Sequence, residues 1–402
     1  MTKRLFLLLL TLAVILSACG TFQVSIEQSP TPTIDQGKVA TIVAATLAAY
    51  PTATTLPGSP SVLPHSLYYW KWVDDQTGLG QIFRLERNAL MNTQVTNEPQ
   101  GVASQFDVSP LKGQLAYNNG KQLILVDANG WNRQVVAVSS ASQDYLAWPH
   151  WSPDGRALAY ANNGIYFYST ETGTSTLVLA NDAAHNYSPR DFSPDGSKLL
   201  LSVSDLVHTR LGIYNLAAKS LTLLQPSEPA DIYFCCSPVS WSSDSNHLYI
   251  SEKVTGAGCP NCLLPGLWRY NADGTGTALL PGVDAAGTLI QNKTAAPWLD
   301  ADGNLMFLYS APGTVSKTPF SLVHSAPDAT TDRTFLRPET FSVVNALWAP
   351  DGSSLLIVQN DGTGTNDKPA NLILVPVDPS RPVVTLLPDA SKLDENSLRW
   401  GP

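Results

Sequence analysis

The chain has 402 residues, 44% of them hydrophobic but only 14% charged, with 30 Pro, 27 Gly and 10 Trp. Lys and Arg total 24 against 33 Asp and Glu, a net charge of −9. With no basic stretch, that balance argues against a nucleic-acid partner, because phosphate binding needs clustered positive charge. Three Met and abundant Pro, Gly, Thr and Ser argue against a helical bundle or coiled coil.

Lys3 and Arg4 precede an apolar run from Leu5 to Leu16. The run is too short to span about 30 Å of hydrocarbon as a permanent helix, and it has the form of a signal-peptide core. Leu16-Ser-Ala-Cys19 follows. Leu16 fits an ordinary signal peptidase site poorly, because that site needs small residues at −3 and −1. The four residues instead resemble the bacterial lipobox, in which the thiol of Cys19 takes a diacylglycerol before cleavage on its N-terminal side. Residues 1–18 therefore read as a lipoprotein signal, and the mature protein as extracytoplasmic and lipid-anchored to a bacterial cell membrane. A lipid group with two or three chains holds far better than a single myristoyl. Cleavage also removes Lys3 and Arg4, which takes the net charge to −11.

Residues 19–65 read as a tether. Gln28-Ser-Pro-Thr-Pro-Thr33 and the stretch from Pro51 to Pro64 favour extended, solvated chain. Between them Asp35 can cap a short helix with Val39, Ile42, Val43, Thr46, Leu47 and Tyr50 on one face; a frayed segment fits as well.

From Ser66 onward a motif recurs: Val108-Ser-Pro, Trp151-Ser-Pro-Asp-Gly, Phe192-Ser-Pro-Asp-Gly, Trp241-Ser-Ser-Asp-Ser, Trp298-Leu-Asp-Ala-Asp-Gly, Trp348-Ala-Pro-Asp-Gly and a stub, Trp400-Gly-Pro402. The lead residues lie 43, 41, 49, 57, 50 and 52 positions apart. Periods of that size with strand-like units signal a propeller or solenoid. Ser-Pro-Asp-Gly suits a type I turn, with Pro second and Gly fourth. A β-rich strand follows each turn, as in Ala157–Tyr160, and a third such as Ile165–Tyr168 comes after minimal links like Asn162-Asn-Gly164. With a fourth strand such as Thr176–Leu179, each repeat is a four-stranded antiparallel blade.

This repeat resembles that of the TolB-type β-propellers over nearly all of residues 66–402. The resemblance implies protein–protein contact within the cell envelope and leaves activity open. Turn geometry is expected to differ at Val108-Ser-Pro, at Ser245, which stands in the Gly position, and after Trp298. The ends set the blade number. Leu67–Trp72, Gln81–Leu85 and Thr93–Thr96 read as second, third and fourth strands with no first, whereas Ser397–Trp400 reads as a first strand with nothing after it. Joining them predicts an all-β ring of seven blades, closed by N- and C-terminal strands, at about 48 residues each. The alternative, six blades, leaves the stub unexplained.

Long links at Ser204–Arg210, Lys253–Gly266 and Gln359–Ala370 fall on the face opposite the Ser-Pro-Asp-Gly turns, which makes it the candidate functional face. Cys235, Cys236, Cys259 and Cys262 fall within two such loops of one blade, so the pairs can meet. Two disulfides are the default outside the cytoplasm, with links between the pairs favoured. A redox dithiol and a zinc site are the remaining readings, although no helix lowers a thiol pKa here and adjacent cysteines suit tetrahedral ligation poorly.

The residues just before the lead positions form a second constellation. Arg399, Asp107, His150 and Asp191 come from four successive inner strands and can make a polar arc on the channel. Such an arc holds a small anion, sugar or cation, or it links blades through ion pairs. No catalytic residue is assigned, since the chain has no Gly-x-Ser-x-Gly elbow. No metal is assigned either, because no His-x-x-x-His occurs and Asp361–Asp367 lacks the Glu of a calcium loop. The expectation is a monomeric, non-catalytic scaffold without cofactor. Its partner is the membrane through Cys19, together with an envelope protein or extracellular ligand. The alternatives are a propeller lyase or glycan-processing enzyme using the arc, and a cysteine-cluster sensor.

Overall fold

In the regular repeats the turn after the first strand is locked by its own side chains. Gly155 N–H donates to the Ser152 carbonyl at 2.8 Å, and the Ser152 hydroxyl donates to Asp154 at 2.6 Å while accepting from Ala157 N–H at 2.9 Å. The Phe192 repeat copies this arrangement through Ser193, Asp195 and Gly196. The irregular repeats reach the same end by other means. Ser245 adopts φ +61°, where glycine is the easy choice, and still donates N–H to the Ser242 carbonyl at 2.9 Å. After Val108 the turn is one residue longer and closes from Gly113 N–H to the Ser109 carbonyl at 2.9 Å. After Trp298, Asp300 replaces the serine and accepts from Asn304 N–H at 2.8 Å.

A computed structural model of the chain describes residues 61–402 except 75–76, 140–145, 206–208, 225–231, 234–238, 252, 255–265, 282–292, 311–318 and 361–368. These belong to one compact unit, Pro60–Pro402. Seven four-stranded antiparallel sheets make it up. From innermost to outermost strand, blade 1 runs from Phe106–Val108 to Gln134–Val138, blade 2 from Ala147–Trp151 to Thr174–Ala180, and blade 3 from Asn186–Phe192 to Ser220–Leu223. Blade 4 runs from Val239–Trp241 to Gly276–Leu280, blade 5 from Lys293–Leu299 to Thr334–Phe341, and blade 6 from Val343–Trp348 to Val384–Leu387. Blade 7 joins the two ends of the domain: Leu393–Trp400 pairs with Leu67–Asp74, which is followed by Leu79–Leu85 and Asn92–Gln94. Leu67 lies opposite Trp400 and Tyr68 opposite Arg399. The ring is a seven-bladed β-propeller, closed as the stub at Trp400 required.

Seven apolar clusters hold it, one at each joint between neighbouring blades. The lead aromatics act as wedges there. Trp151 packs with Leu123 and Leu125 of blade 1 as well as Leu158 of its own blade, and Trp348 packs with Met306 and Leu308 of blade 5. Among the described residues no helix is long and apolar enough to cross a membrane.

Two of the expected links are shorter than the sequence suggested, because the strands run further. Lys198–Ser204 and Thr209–Asn215 extend one hairpin, and Ser354–Asn360 and Pro369–Pro376 extend another. In the third region a small ribbon forms that the sequence reading did not anticipate: Ile232–Tyr233 pairs with Lys253–Val254. Cys19, the four clustered cysteines, the segment 35–50 and Asp361–Asp367 lie outside the described residues.

Candidate ligand site in the central channel

Arg399, Asp107, His150 and Asp191 occupy equivalent rungs of the inner strands of blades 7, 1, 2 and 3. They lie opposite Tyr68, Ala116, Ala159 and Leu200 of their second strands. Register breaks just before two of them, between Ala147 and His150 and between Pro189 and Asp191. Such bulges re-aim side chains. The first puts Trp148 at φ +60°, an uncommon conformation for a bulky residue, and the second presents Arg190, whose guanidinium stacks 5.3 Å from the centre of the Trp148 ring.

The arc is linked across blades. Arg399 Nε lies 3.4 Å from Asp107 Oδ1, and Trp151 N–H donates to Asp107 Oδ2 at 2.7 Å. One carboxylate therefore ties blade 1 to blades 7 and 2. Arg399 also donates to its neighbour's carbonyl, Leu398 O, at 2.7 Å.

Crowding by the channel wall dominates the protonation of the arc. Burial, with the Asp107 carboxylate adding to it, pushes the Asp191 carboxyl up to about 7, against the pull of Phe192 N–H and of Arg399 and Arg190. Burial also raises Asp107, with the Arg399 guanidinium opposing. Burial and the two cations hold His150 well below its ordinary 6.5, so the imidazole is neutral at pH 7. The arc thus combines two guanidiniums, a fixed carboxylate, a neutral imidazole and one carboxyl poised to gain or lose a proton.

The opposite wall is different. Phe192, Trp241, Pro297, Trp298 and Trp348, with Asp191 at the border, line a cavity of about 230 Å³ reaching over blades 3 to 6. Trp298 and Trp348 sit 6.2 Å apart at 31°. The sequence reading picked out the four arc residues but missed Trp148, Arg190 and this aromatic wall. The wall has a sequence signal: the lead residues of blades 4 to 6 are all Trp, and the residues before them are Ser240, Pro297 and Leu347. The ribbon Ile232–Tyr233 with Lys253–Val254 links the two loops that carry the cysteine pairs. Among the described residues no group of three His, Cys, Asp or Glu is arranged to hold a metal.

The ring and its repeats define a seven-bladed β-propeller of four-stranded antiparallel blades. In sequence the chain is similar to the Tol-Pal system protein TolB of Francisella tularensis subsp. holarctica, 35% identical over 112 residues, a match covering 26% of this chain and 25% of that protein. The chain thus spans about a quarter of the length of the curated relatives it matches. No family model matches it. Among solved structures, a Mycobacterium tuberculosis puromycin-hydrolyzing peptidase is similar with a TM-score of 0.52 and 15% identity, over 82% of this chain and 52% of that one. Oligogalacturonate lyase from Vibrio parahaemolyticus matches with a TM-score of 0.50 and 12% identity, over 81% of this chain and 86% of that one. At such identities these likenesses speak for the fold alone.

Proposed function

We propose that this protein is a lipoprotein of the bacterial cell envelope, anchored outside the cytoplasm through Cys19. Its propeller serves as a non-catalytic scaffold that holds a protein or small ligand at the channel and the loop-rich face. The observation that carries the scaffold reading is the use made of Asp107. Its two oxygens are taken by Arg399 and by Trp151 N–H, which makes it a strut rather than a free reagent. The name of the TolB relative, a Tol-Pal system protein, supports a place among envelope assemblies. The signal and Leu16-Ser-Ala-Cys19 support the anchor.

Mass spectrometry of the protein from native membranes tests the anchor. Residues 1–18 should be absent and Cys19 should carry a diacylglycerol; an unmodified N-terminus elsewhere sinks the idea. Cross-linking and capture of the membrane-bound protein test the scaffold, scored against a variant with the loop Lys253–Gly266 shortened. A defined envelope partner should be lost from the variant.

One observation favours a second reading, a propeller enzyme of the lyase or glycan-processing kind. Asp191, with its carboxyl near neutrality, borders a cavity and has the protonation suited to general acid or base work. Turnover of an acidic glycan that disappears in Asp191→Asn while binding persists would establish it.

A further inference from the structure

On the edge of the ring that carries the turns after first and third strands, carboxylates recur. Blades 2 to 6 each present an exposed one in the first of these turns: Asp154, Asp195, Asp244, Asp302 and Asp351. Blade 1 breaks the series. Its turn reads Ser109-Pro-Leu-Lys-Gly113, and Leu111, 64% exposed, and Lys112 stand in the loop where the others place Asp.

The neighbouring turns do carry carboxylates, but each is engaged: Glu86 pairs with Arg84, and Asp127 accepts from Asn129 N–H, Trp131 N–H and the Asn132 amide; the tips of these turns are apolar. Trp131, 72% exposed, tops the turn after the third strand of blade 1, and Leu90, 78% exposed, with Met91 tops the same turn of blade 7. Antiparallel order puts all three turns on one edge. They also adjoin across the seam. Arg84 of blade 7 donates to the Ala128 carbonyl and approaches Asn129 in the Trp131 turn, and Gly113 packs beside Pro402 at the end of the closing strand. Arg87 and Lys112 have no carboxylate partner among the described residues. The chain from the N-terminal segment joins the ring here as well: Val62 and Leu63 N–H both donate to the Arg87 carbonyl at 2.9 Å.

We propose that this seam edge of blades 7 and 1 rests on an anionic bilayer surface, with Leu90, Leu111 and Trp131 entering the headgroup boundary and Arg87 and Lys112 meeting lipid phosphates. Apolar tips flanked by cations are the chemistry of interfacial contact, and the carboxylates of the other blades keep the rest of that face off a negative surface. Single exposed apolar residues are ordinary, as Leu177 and Phe335 are elsewhere on the ring. The tether selects the bilayer as occupant. Val62 and Leu63 are bonded to this edge at Arg87, so on the anchor reading the chain leaves the ring toward Cys19 from this edge. That argument rests on the anchor reading; the patch itself is testable without it.

The test uses the mature chain carrying Cys19→Ser, which removes the lipid, sedimented with vesicles of phosphatidylcholine containing about one-third phosphatidylglycerol. Measurable binding is expected, weakened about tenfold or more in the triple variant L90D/L111D/W131D and a few-fold in Lys112→Glu or on phosphatidylcholine alone. Phe335→Asp, outside the patch, should bind like the parent, and unchanged thermal unfolding of the triple variant shows that the ring is intact. Absence of vesicle binding by the parent chain overturns the proposal, as does equal binding by the triple variant. So does a parent dimer that the triple variant dissociates without any vesicle binding, which would assign the patch to a second copy. The mass of Cys19 decides the anchor separately.

Discussion

The joint between blades 7 and 1 and the joint between blades 5 and 6 use the same rungs of the same fold in opposite ways. At the first, the residues before the lead positions are Arg399 and Asp107, an ion pair only 29% and 16% exposed. At the second they are Pro297 and Leu347, and the contact is made by the lead residues themselves. Trp298 packs on Trp348, whose indole N–H donates to the Ala296 carbonyl at 2.6 Å. Both joints close. The architecture therefore does not require charge on the channel wall, and half-buried ion pairs seldom stabilise better than apolar packing does. The polar arc is a choice beyond what the ring needs, which is why it remains the place to look for a ligand.

The comparison can be broken at either joint. Trp348→Ala should have the largest effect, a loss of about 3–5 kcal/mol in chemical denaturation, since it empties a fully packed wedge position. Arg399→Ala should lose less, about 2 kcal/mol, because the Asp107 carboxylate it strands is partly wetted. The paired change Arg399→Leu with Asp107→Asn, which leaves an acceptor for Trp151 N–H, should restore most of that stability; if the double variant is as unstable as the single, the joint does depend on charge.

A third prediction concerns pH. Asp191 titrates near 7 in the folded protein but in the ordinary carboxylate range when unfolded, so the folded state binds the extra proton. Its contribution to stability is complete below about pH 4 and disappears as pH rises through about 7. Asp191→Asn should flatten that fall and raise the melting temperature at pH 8. His150 acts in the opposite direction. Its lowered folded pKa removes stability as pH falls below 6.5, and His150→Gln should remove that acid sensitivity. The smallest expected effect is at a turn. Ser245→Gly relieves a positive φ but gives up the hydroxyl that accepts from Asp195 N–H of blade 3 at 3.1 Å, so the two effects should nearly cancel, leaving a change within about 0.5 kcal/mol in the same denaturation series.

Much of this was legible before any coordinates. The ring could be read because Trp-Ser-Pro-Asp-Gly marks the same rung in each blade, and because Trp400 lacked a partner strand while Leu67 lacked a predecessor. The arc could be read by the same alignment, one residue upstream. What escaped came from register. A bulge adds a residue without any signature in composition, so nothing announced that Trp148 would turn over to meet Arg190. The ribbon of Ile232–Tyr233 with Lys253–Val254 escaped for a related reason: two-residue strands are too short to show a period. Protonation was equally hidden, since Asp191 departs from Asp107 through what crowds each carboxyl rather than through anything adjacent in the chain.

The closing strand has a temporal consequence. Leu67 finds its hydrogen-bonded neighbour about 330 positions later, at Trp400. As the polypeptide emerges, the strand Leu67–Asp74 must wait, one side unsatisfied, until Trp400 is available. Assembly governed by so distant a pairing is slow, and an interrupted molecule would display a raw strand ready to recruit a stranger.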